Sequence, residues 1–302
     1  MAMINKKNDM KVDLVMWTKN GAATLPQVLK RIERVIPREF VNQKIIADDR
    51  STDNTREIAT SYGWTVVFNE GTGISDGANT VLKLVETDRF VSFEQDLLLS
   101  SDWWMKIPPL LEKSKVGAAS GMRFADRPNG VKKLQQYVAK KYRGEAYLAS
   151  WLRTRQMAAF TLGKTLDNTI YVTKVVRSAG GFPKIKVNAG VDTTLAYRIQ
   201  QAGYHWVVDY GVQSVHIRKG LKQELAHQYW YGTQLNEIWG RIAKETDKPP
   251  PITRTSIMSR FFTAPFTGLF VAYKTREATI AYIHPLIRLY YLKGYLESGK
   301  CK

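Results

Sequence analysis

The most informative stretch of the sequence is Phe90-Val91-Ser92-Phe93-Glu94-Gln95-Asp96, an apolar run that ends in two acidic residues one position apart. Strands buried on both faces of a parallel sheet have such continuous apolar runs, and ligands bind beyond their carboxyl ends. Side chains at i and i+2 of an extended chain point the same way, so Glu94 and Asp96 can share one divalent cation. The same pattern is also typical of an ordinary solvated strand end.

Three more apolar runs precede this stretch, and polar residues follow each of them. The runs are Val12–Trp17, Lys44–Ala47 and Trp64–Phe68. After the first run, apolar residues recur at helical spacing from Leu25 to Ile36. Four successive strand–helix units predict an α/β fold with a mainly parallel, nucleotide-binding type of sheet and flanking helices.

Two of the polar segments carry residues that suit a ligand. Asp48 to Thr55 supplies carboxylates and a helix start, and Asn69 to Asn79 contains three glycines before another helix. Glycine lets the backbone approach a ligand, and a helix N-terminus offers N–H groups to phosphate. No Gly-Lys-Ser/Thr follows, and the glycine spacing departs from the dinucleotide fingerprint, so neither a P-loop nor a nicotinamide site is predicted.

Composition narrows the partners and the compartment. A net charge of +18 predicts an acidic partner: nucleic acid, an anionic membrane surface or a phosphorylated substrate. The single cysteine, Cys301, excludes a disulfide framework and a cysteine zinc site and fits a reducing compartment. Residues 1–11 lack the apolar core of a secretory signal, and no apolar run is long enough to span a membrane. We therefore expect a cytoplasmic protein.

The order and spacing of the polar segments resemble the inverting family-two glycosyltransferases of the GT-A fold. The matching segments are Ile45–Thr55, Asn69–Gly73 with Asn79, Phe93–Asp96 and Ser101–Trp103. The resemblance implies transfer of a sugar from a nucleotide diphosphate, with an Asp-x-Asp element that binds Mn²⁺ or Mg²⁺ on the diphosphate. Here Glu94 stands in place of the first aspartate, which leaves Asp96 as the principal acidic ligand.

The resemblance also implies roles for individual residues. Asp96, His216 and Glu94 would hold the metal, and Asp49 would read the base or ribose. The residues implied to bind the donor are Thr18, Asn20, Asp48, Asp49, Asn69, Gly73, Asn79, Glu94, Gln95 and Arg218. A lone histidine is more often structural than a ligand, so a structural role for His216 stays open.

The second half of the chain continues the resemblance. Ser178–Pro183 is similar to the family's Gly-Gly-Phe segment, and Gly190–Arg198 matches a helix that usually starts Glu-Asp. Val191 replaces the Glu, and Asp192 keeps the Asp, which is the family's general base. Inverting transfer requires a base that takes the acceptor proton, and a helix N-terminus keeps a carboxylate ionised. The alternative is that Asp192 is a helix N-cap.

Two segments stand out by their basic residues or by their amphipathic pattern. A basic helical insert at 131–160 has seven cations against one acid and could face phospholipid headgroups or be a solvated helix surface. After Lys248-Pro249-Pro250-Pro251, amphipathic helices in 248–302 are typical of a bilayer interface, although they could instead cover an apolar face of the catalytic domain. A re-entrant hairpin is a further alternative.

The sequence therefore predicts a GT-A catalytic domain at 1–247 and interfacial helices at 248–302. The predicted activity is metal-dependent transfer of a hexose from a GDP- or UDP-linked sugar to a lipid-linked or other membrane-proximal acceptor. We expect the protein on the cytoplasmic face of the cell membrane, and we expect no nucleic-acid partner. The alternatives are an inactive basic α/β protein that binds membrane or nucleic acid, and a nucleotidyltransferase.

Overall fold

A computed structural model of the chain describes residues 11–126, 128–145, 163–184, 189–217, 220–246 and 254–298. These residues divide into two compact units. The first comprises the described parts of Met1–Arg123 and Gly163–His216, and the second those of Phe124–Leu162 and Ile217–Lys302. The predicted boundary at residues 247 and 248 lies outside the described residues and stays a prediction, as does the C-terminal part of the insert predicted at 131–160.

Among the described residues, eight strands form one sheet in the order β3-β2-β1-β4-β7-β6-β8-β5. The strands are β1 Val12–Thr18, β2 Val41–Asp48, β3 Thr65–Phe68, β4 Arg89–Glu94, β5 Leu97–Leu98, β6 Val116–Ala125, β7 Thr169–Val172 and β8 His205–His216. The pairs β1–β2, β1–β4 and β2–β3 are parallel. The pairs β4–β7, β6–β7 and β5–β8 are antiparallel. The predicted α/β fold is confirmed, as a mixed sheet in which the strand–helix units supply the parallel pairs.

The described helices alternate with the strands from β1 to β4, as the sequence predicts, and follow one another without intervening strands after β8. They are α1 Leu25–Val35, α2 Thr55–Ser61, α3 Gly73–Leu84, α4 Trp103–Lys106, α5 Asn129–Glu145, α6 Thr173–Ser178, α7 Val191–Gln201, α8 Leu221–Thr246, α9 Arg254–Phe262, α10 Ala264–Thr275 and α11 Ile280–Ser298. Short 3₁₀ turns lie at Arg38–Phe40 and Pro108–Glu112. In α1, Leu25, Val28, Leu29 and Ile32 are buried, which confirms the helical spacing.

The register of the parallel strands positions the site. Thr18 of β1 lies opposite Asp48 of β2, and Trp17 lies opposite Glu94 of β4. The carboxyl ends of β1, β2 and β4 therefore meet at one edge of the sheet, where the polar segments after each strand come together. Every residue of β1 is buried, so this edge is held by the core of the first unit.

The second unit is helical over most of its described length. Val131 and Leu134 of α5 pack with Val271 of α10 and with Ile280 and Ile283 of α11 in one apolar cluster. The helices α8 and α11 approach closely at two glycines. A Cβ on Gly294 would collide with the backbone of Tyr229, and a Cβ on Gly232 would collide with the backbone of Tyr291. The predicted C-terminal helices are present, and Pro265 lies in the first turn of α10. Among the described residues, no helix combines the length and the apolar character that crossing a bilayer requires.

Candidate active site

A cleft of about 780 Å³ opens at the edge where β1, β2 and β4 end. Its lining is Trp17, Thr18, Lys19, Asp49, Asn69, Thr72, Gly73, Ile74, Asp76, Glu94, Gln95, Asp96 and Lys184. Seven of these residues are ones that the sequence predicts for the donor or the metal: Thr18, Asp49, Asn69, Gly73, Glu94, Gln95 and Asp96. A cavity of this size with convergent polar groups is typical of a small-molecule site.

The three predicted metal ligands come together at the cleft. Glu94, Asp96 and His216 each offer one ligand atom, and these atoms lie within 4.8 Å of one another. The antiparallel pairing of β5 with β8 produces this arrangement, because Leu97 lies opposite His216. The imidazole therefore reaches the residue next to Leu97, and His216 Nε2 lies 3.0 Å from Asp96 Oδ1.

The burial and hydrogen bonding of His216 indicate whether the site suits a cation. His216 is buried, and its Nε2 has no hydrogen bond of good geometry despite the nearby Asp96 oxygen. A buried polar atom without a hydrogen bond is uncommon and calls for a ligand or a functional explanation. Two carboxylates and one imidazole form a donor set that suits Mn²⁺ or Mg²⁺. The residues present therefore fit the divalent cation that the sequence predicts.

A cluster of carboxylates surrounds one arginine beside these ligands. Arg123 Nη1 lies 3.3 Å from Glu94 Oε2 and 3.0 Å from Asp167 Oδ2. Burial and the charges of Asp167, Asp96 and Asp192 together raise the pKa of Glu94 to about 8, although the charge of Arg123 opposes that rise. Because Asp96 and Asp192 both act on the same carboxyl, the predicted metal ligand and the predicted base belong to one cluster.

Asp192 lies in the first turn of α7, and it does not cap that helix. Gly190 occupies the cap position in the left-handed conformation, with φ of 82°, and no side chain caps the helix. The Asp192 carboxylate instead accepts a hydrogen bond of 2.7 Å from the Thr193 N–H. Burial raises the pKa of Asp192, and the charge of Arg123 opposes that rise. A carboxylate with a raised pKa is a stronger base than an exposed one and suits proton abstraction.

Two residues of this cluster were not predicted from the sequence. Asp167 is fully buried, and its Oδ1 has no hydrogen bond, while its Oδ2 pairs with Arg123. Arg123 is the one charged residue of the buried strand β6, and that charge is a signal of the same kind as the acidic end of β4. No local pattern marks Asp167, because its role depends on a partner 44 residues away in sequence.

Asp49 organises the loop that faces the cleft. Its Oδ2 accepts a hydrogen bond of 3.0 Å from the Gly73 N–H at the start of α3, and Lys19 Nζ lies 3.5 Å from the same oxygen. Its Oδ1 lies 3.2 Å from Arg50 Nη1. Asn69 is buried as well and binds Gly71 and Gly73 through its amide. These contacts hold the glycine-containing loop against the edge of the sheet.

Several of the predicted donor residues make protein contacts. The Gln95 amide bonds Thr18 and both backbone groups of Lys19. The Asn20 Oδ1 accepts a hydrogen bond of 2.9 Å from the Thr52 N–H. Asp48 is fully buried and accepts one of 2.9 Å from the Ser51 N–H.

The side-chain amide of Asn79 is hydrogen-bonded at both ends to the backbone of one residue, Phe182. Its Nδ2 donates to the Phe182 carbonyl at 2.8 Å, and its Oδ1 accepts from the Phe182 N–H at 2.9 Å. Asn20, Asp48 and Asn79 are not among the residues that line the cleft. Arg218 lies outside the described residues. The donor-binding roles of these four residues stay predictions, as do the roles of the other predicted site residues.

Two curated proteins match part of this chain. A beta-monoglucosyldiacylglycerol synthase from Nostoc sp. is 24% identical over 202 residues, which are 63% of this chain and 42% of that protein. The protein of the same name from Trichormus variabilis is 23% identical over the same shares. This chain thus matches less than half the length of either relative.

Solved structures match more of the chain at lower identity. A mannosyltransferase from Pyrobaculum calidifontis, in complex with GDP-Man and Mn²⁺, has a TM-score of 0.65 at 17% identity and covers 97% of this chain and 88% of its own. A glucosyl-3-phosphoglycerate synthase from Mycobacterium tuberculosis, in complex with Mn²⁺ and UDP, has a TM-score of 0.56 at 17% identity over 81% of this chain and 83% of its own. These likenesses establish the GT-A fold.

The family comparison covers the strands that build the cleft. Residues 13–171 match "Glycosyl transferase family 2", and this range is more than half of the chain. It includes β1 to β6 and the acidic end of β4. The chain therefore belongs to glycosyl transferase family 2 and is a glycosyltransferase with the GT-A fold.

Proposed function

We propose that the protein is a metal-dependent, inverting hexosyltransferase that uses a GDP- or UDP-linked sugar and glycosylates a lipid-linked or other membrane-proximal acceptor. One observation carries the proposal. Glu94, Asp96 and His216 offer ligand atoms within 4.8 Å of one another, at a cleft that suits a nucleotide. The charges of Asp96 and Asp192 both reach Glu94, so cation and base would act on one bound donor.

The donor would occupy the cleft of about 780 Å³. Asp49 would contact the base or ribose, and the glycines of the loop before α3 would let the backbone approach the phosphates. Asp96 and His216, with Glu94 beside them, would hold Mn²⁺ or Mg²⁺ on the diphosphate. When bound, the cation supplies charge stabilisation for the departing nucleoside diphosphate.

Asp192 would be the general base. Inverting transfer is an in-line displacement at the anomeric carbon, so the acceptor hydroxyl must lose its proton on the face opposite the leaving diphosphate. The Asp192 carboxylate would take that proton as the new C–O bond forms. The Arg123–Asp167 pair would fix the surroundings of the base, because the charge of Arg123 keeps part of the carboxylate cluster ionised.

The proposed acceptor follows from two observations. The curated relatives are named for the synthesis of a glucosylated diacylglycerol, which is a lipid product. The chain itself carries a net charge of +18, which suits an anionic surface. We therefore propose that the protein acts at the cytoplasmic face of the cell membrane, with the C-terminal helices in 248–302 at the interface.

A screen of nucleotide sugars tests this function. The purified protein would be melted with each GDP- and UDP-linked hexose, with Mn²⁺ and with a chelator, and a true donor should raise the Tm only with the metal. The matching donor would then be incubated with lipid acceptors. Release of nucleoside diphosphate together with a β- or α-linkage opposite to that of the donor supports the proposal. Release of pyrophosphate would contradict it.

A further inference from the structure

One helix of the second unit exposes a continuous apolar surface. Phe266, Leu269, Phe270 and Tyr273 of α10 are 75%, 60%, 53% and 80% exposed, respectively. Their spacing places them on one side of the helix, and we call these four residues the aromatic face. Exposed apolar side chains scattered singly are normal, but a contiguous set on one helix marks an interaction surface.

The opposite side of α10 is firmly packed. Ala264, Gly268, Val271 and Ala272 are buried, and Val271 belongs to the cluster with Ile280 and Ile283. Gly268 is in close contact with α11, because a Cβ there would lie 3.1 Å from the Ala281 carbonyl oxygen. The aromatic face is therefore the solvent-exposed side of a helix whose other side is packed against the second unit.

Cations accompany the aromatic face. The described stretch 254–298 has six basic residues against two acidic ones, and the basic residues are Arg254, Arg260, Lys274, Arg276, Arg288 and Lys293. Both acids have partners, since Glu277 lies 3.3 Å from Lys133 and Glu297 bonds Tyr229. Lys274 Nζ lies 5.7 Å from the centre of the Phe270 ring, so a positive charge lies beside the aromatic face.

We propose that the aromatic face inserts into the headgroup region of an anionic lipid bilayer, with Lys274 and other basic residues of the stretch 254–298 on the lipid phosphates. This inference rests on the proposed function, because it names the surface by which the enzyme would reach a membrane acceptor. Aromatic side chains beside lysine and arginine are the composition that partitions into a bilayer interface.

A second copy of the chain is a poorer occupant of this surface. Each copy carries a net charge of +18, so two copies meeting at these helices would bring like charges together. An anionic bilayer instead compensates those charges, at about 1 kcal/mol per Lys or Arg near the surface. The bilayer also accepts the four apolar side chains without needing a complementary protein surface.

The test measures binding to vesicles in the absence of nucleotide sugar. Wild-type protein would be sedimented with vesicles made of equal parts phosphatidylcholine and phosphatidylglycerol, and with vesicles of phosphatidylcholine alone. The variant carries Phe266→Gln, Leu269→Gln, Phe270→Gln and Tyr273→Gln together, since glutamine keeps the helix propensity. The matched control carries Phe68→Gln and Met105→Gln, which remove two residues of the first unit that are 65% and 77% exposed.

We expect wild type and control to bind the anionic vesicles equally. The variant with four substitutions, called the fourfold variant, should bind them at least about a hundredfold more weakly. Phosphatidylcholine vesicles should bind wild type more weakly than the anionic ones. Equal binding by wild type and the fourfold variant would overturn the inference, as would wild type that binds neither kind of vesicle. Light scattering provides a third outcome. If wild type is a dimer that does not bind vesicles, and the variant with four substitutions is a monomer, the aromatic face contacts a second copy and the inference is wrong.

Two further measurements keep the result interpretable. Thermal melting should give the same Tm for the fourfold variant and wild type, because the replaced side chains are exposed. A lower Tm in the variant, with no vesicle binding by wild type, would mean that another part of the chain covers the face. Metal-dependent nucleotide binding in solution should be the same for both, so a failure of the proposed function would be seen separately.

Discussion

His216 Nε2 lies 3.0 Å from Asp96 Oδ1, and this contact joins the segment after β4 to the last residue of β8. The antiparallel register of β5 against β8 fixes the relationship, because Leu97 is paired with His216. Two residues that are distant in the sequence thus become neighbours at the cleft. The pairing turns an acidic strand end, which is a common pattern, into a candidate metal site.

Loss of His216 should weaken metal binding. We expect His216→Ala to reduce Mn²⁺ affinity at least about tenfold, since one of three protein ligands is removed. The measurement is a calorimetric titration of the nucleotide-free protein with MnCl₂. His205→Ala is the matched control, because His205 begins the same strand and is exposed. Equal losses in both variants would show that His216 is not a ligand.

Asp192 should be needed for chemistry and not for donor binding. Replacement of Asp192 by Asn keeps the shape of the side chain but removes the base, so transfer should fall by about a hundredfold or more. Nucleotide affinity in the presence of Mn²⁺ should stay within about twofold of wild type. Steady-state kinetics and a parallel binding titration check both expectations. An Asn variant with unchanged turnover would exclude the proposed mechanism.

Arg123 should set the pH at which the base becomes active. Its charge lowers the pKa of Asp192, which burial raises. Arg123→Ala removes the lowering effect, so the pKa of Asp192 rises further and the carboxylate is protonated at a higher pH. The acid limb of the kcat/KM profile should therefore move to higher pH, and Arg123→Lys should move it less. Arg89→Ala, which removes a cation paired with Glu112 on the surface, should leave the profile in place.

The sequence and the structure suggest different roles for Asn79. The sequence predicts a donor contact, whereas the amide holds both backbone groups of Phe182. Asn79→Ala should lower the free energy of unfolding by about 1–3 kcal/mol, because Phe182 polar groups lose their partner. Denaturant unfolding measures that change, and nucleotide titration tests the alternative. Weaker nucleotide binding at unchanged stability would favour the donor contact.

The strand–helix units and the acidic end of β4 could be predicted because they are local patterns. The apolar run from Phe90 to Phe93 and the helical spacing in α1 each reflect burial of adjacent residues. The antiparallel insertion of β7 beside β4 has no such signature, because it depends on pairing Arg89 with Val172 across the chain. Sequence patterns report which residues are buried, but they do not report which distant strand lies alongside.

The same limit applies to the site. Asp96, Asp192 and His216 could be predicted as site residues because they match positions in a known order of motifs. Arg123 and Asp167 form the ion pair beside them and were missed, since neither residue has a local pattern that names its partner. Charge within a buried strand is the one clue that pointed to Arg123.

In the proposed mechanism, a cation held by Asp96 binds the donor diphosphate in the cleft, and Asp192 is the base. Titration of wild type, Asp96→Asn and Asp192→Asn with GDP and with UDP, each with Mn²⁺ and with a chelator, tests it most directly. We predict metal-dependent binding of one nucleotide by wild type and by Asp192→Asn, and its loss in Asp96→Asn. Nucleotide binding that is equally tight with the chelator, or unchanged in Asp96→Asn, would contradict the claim.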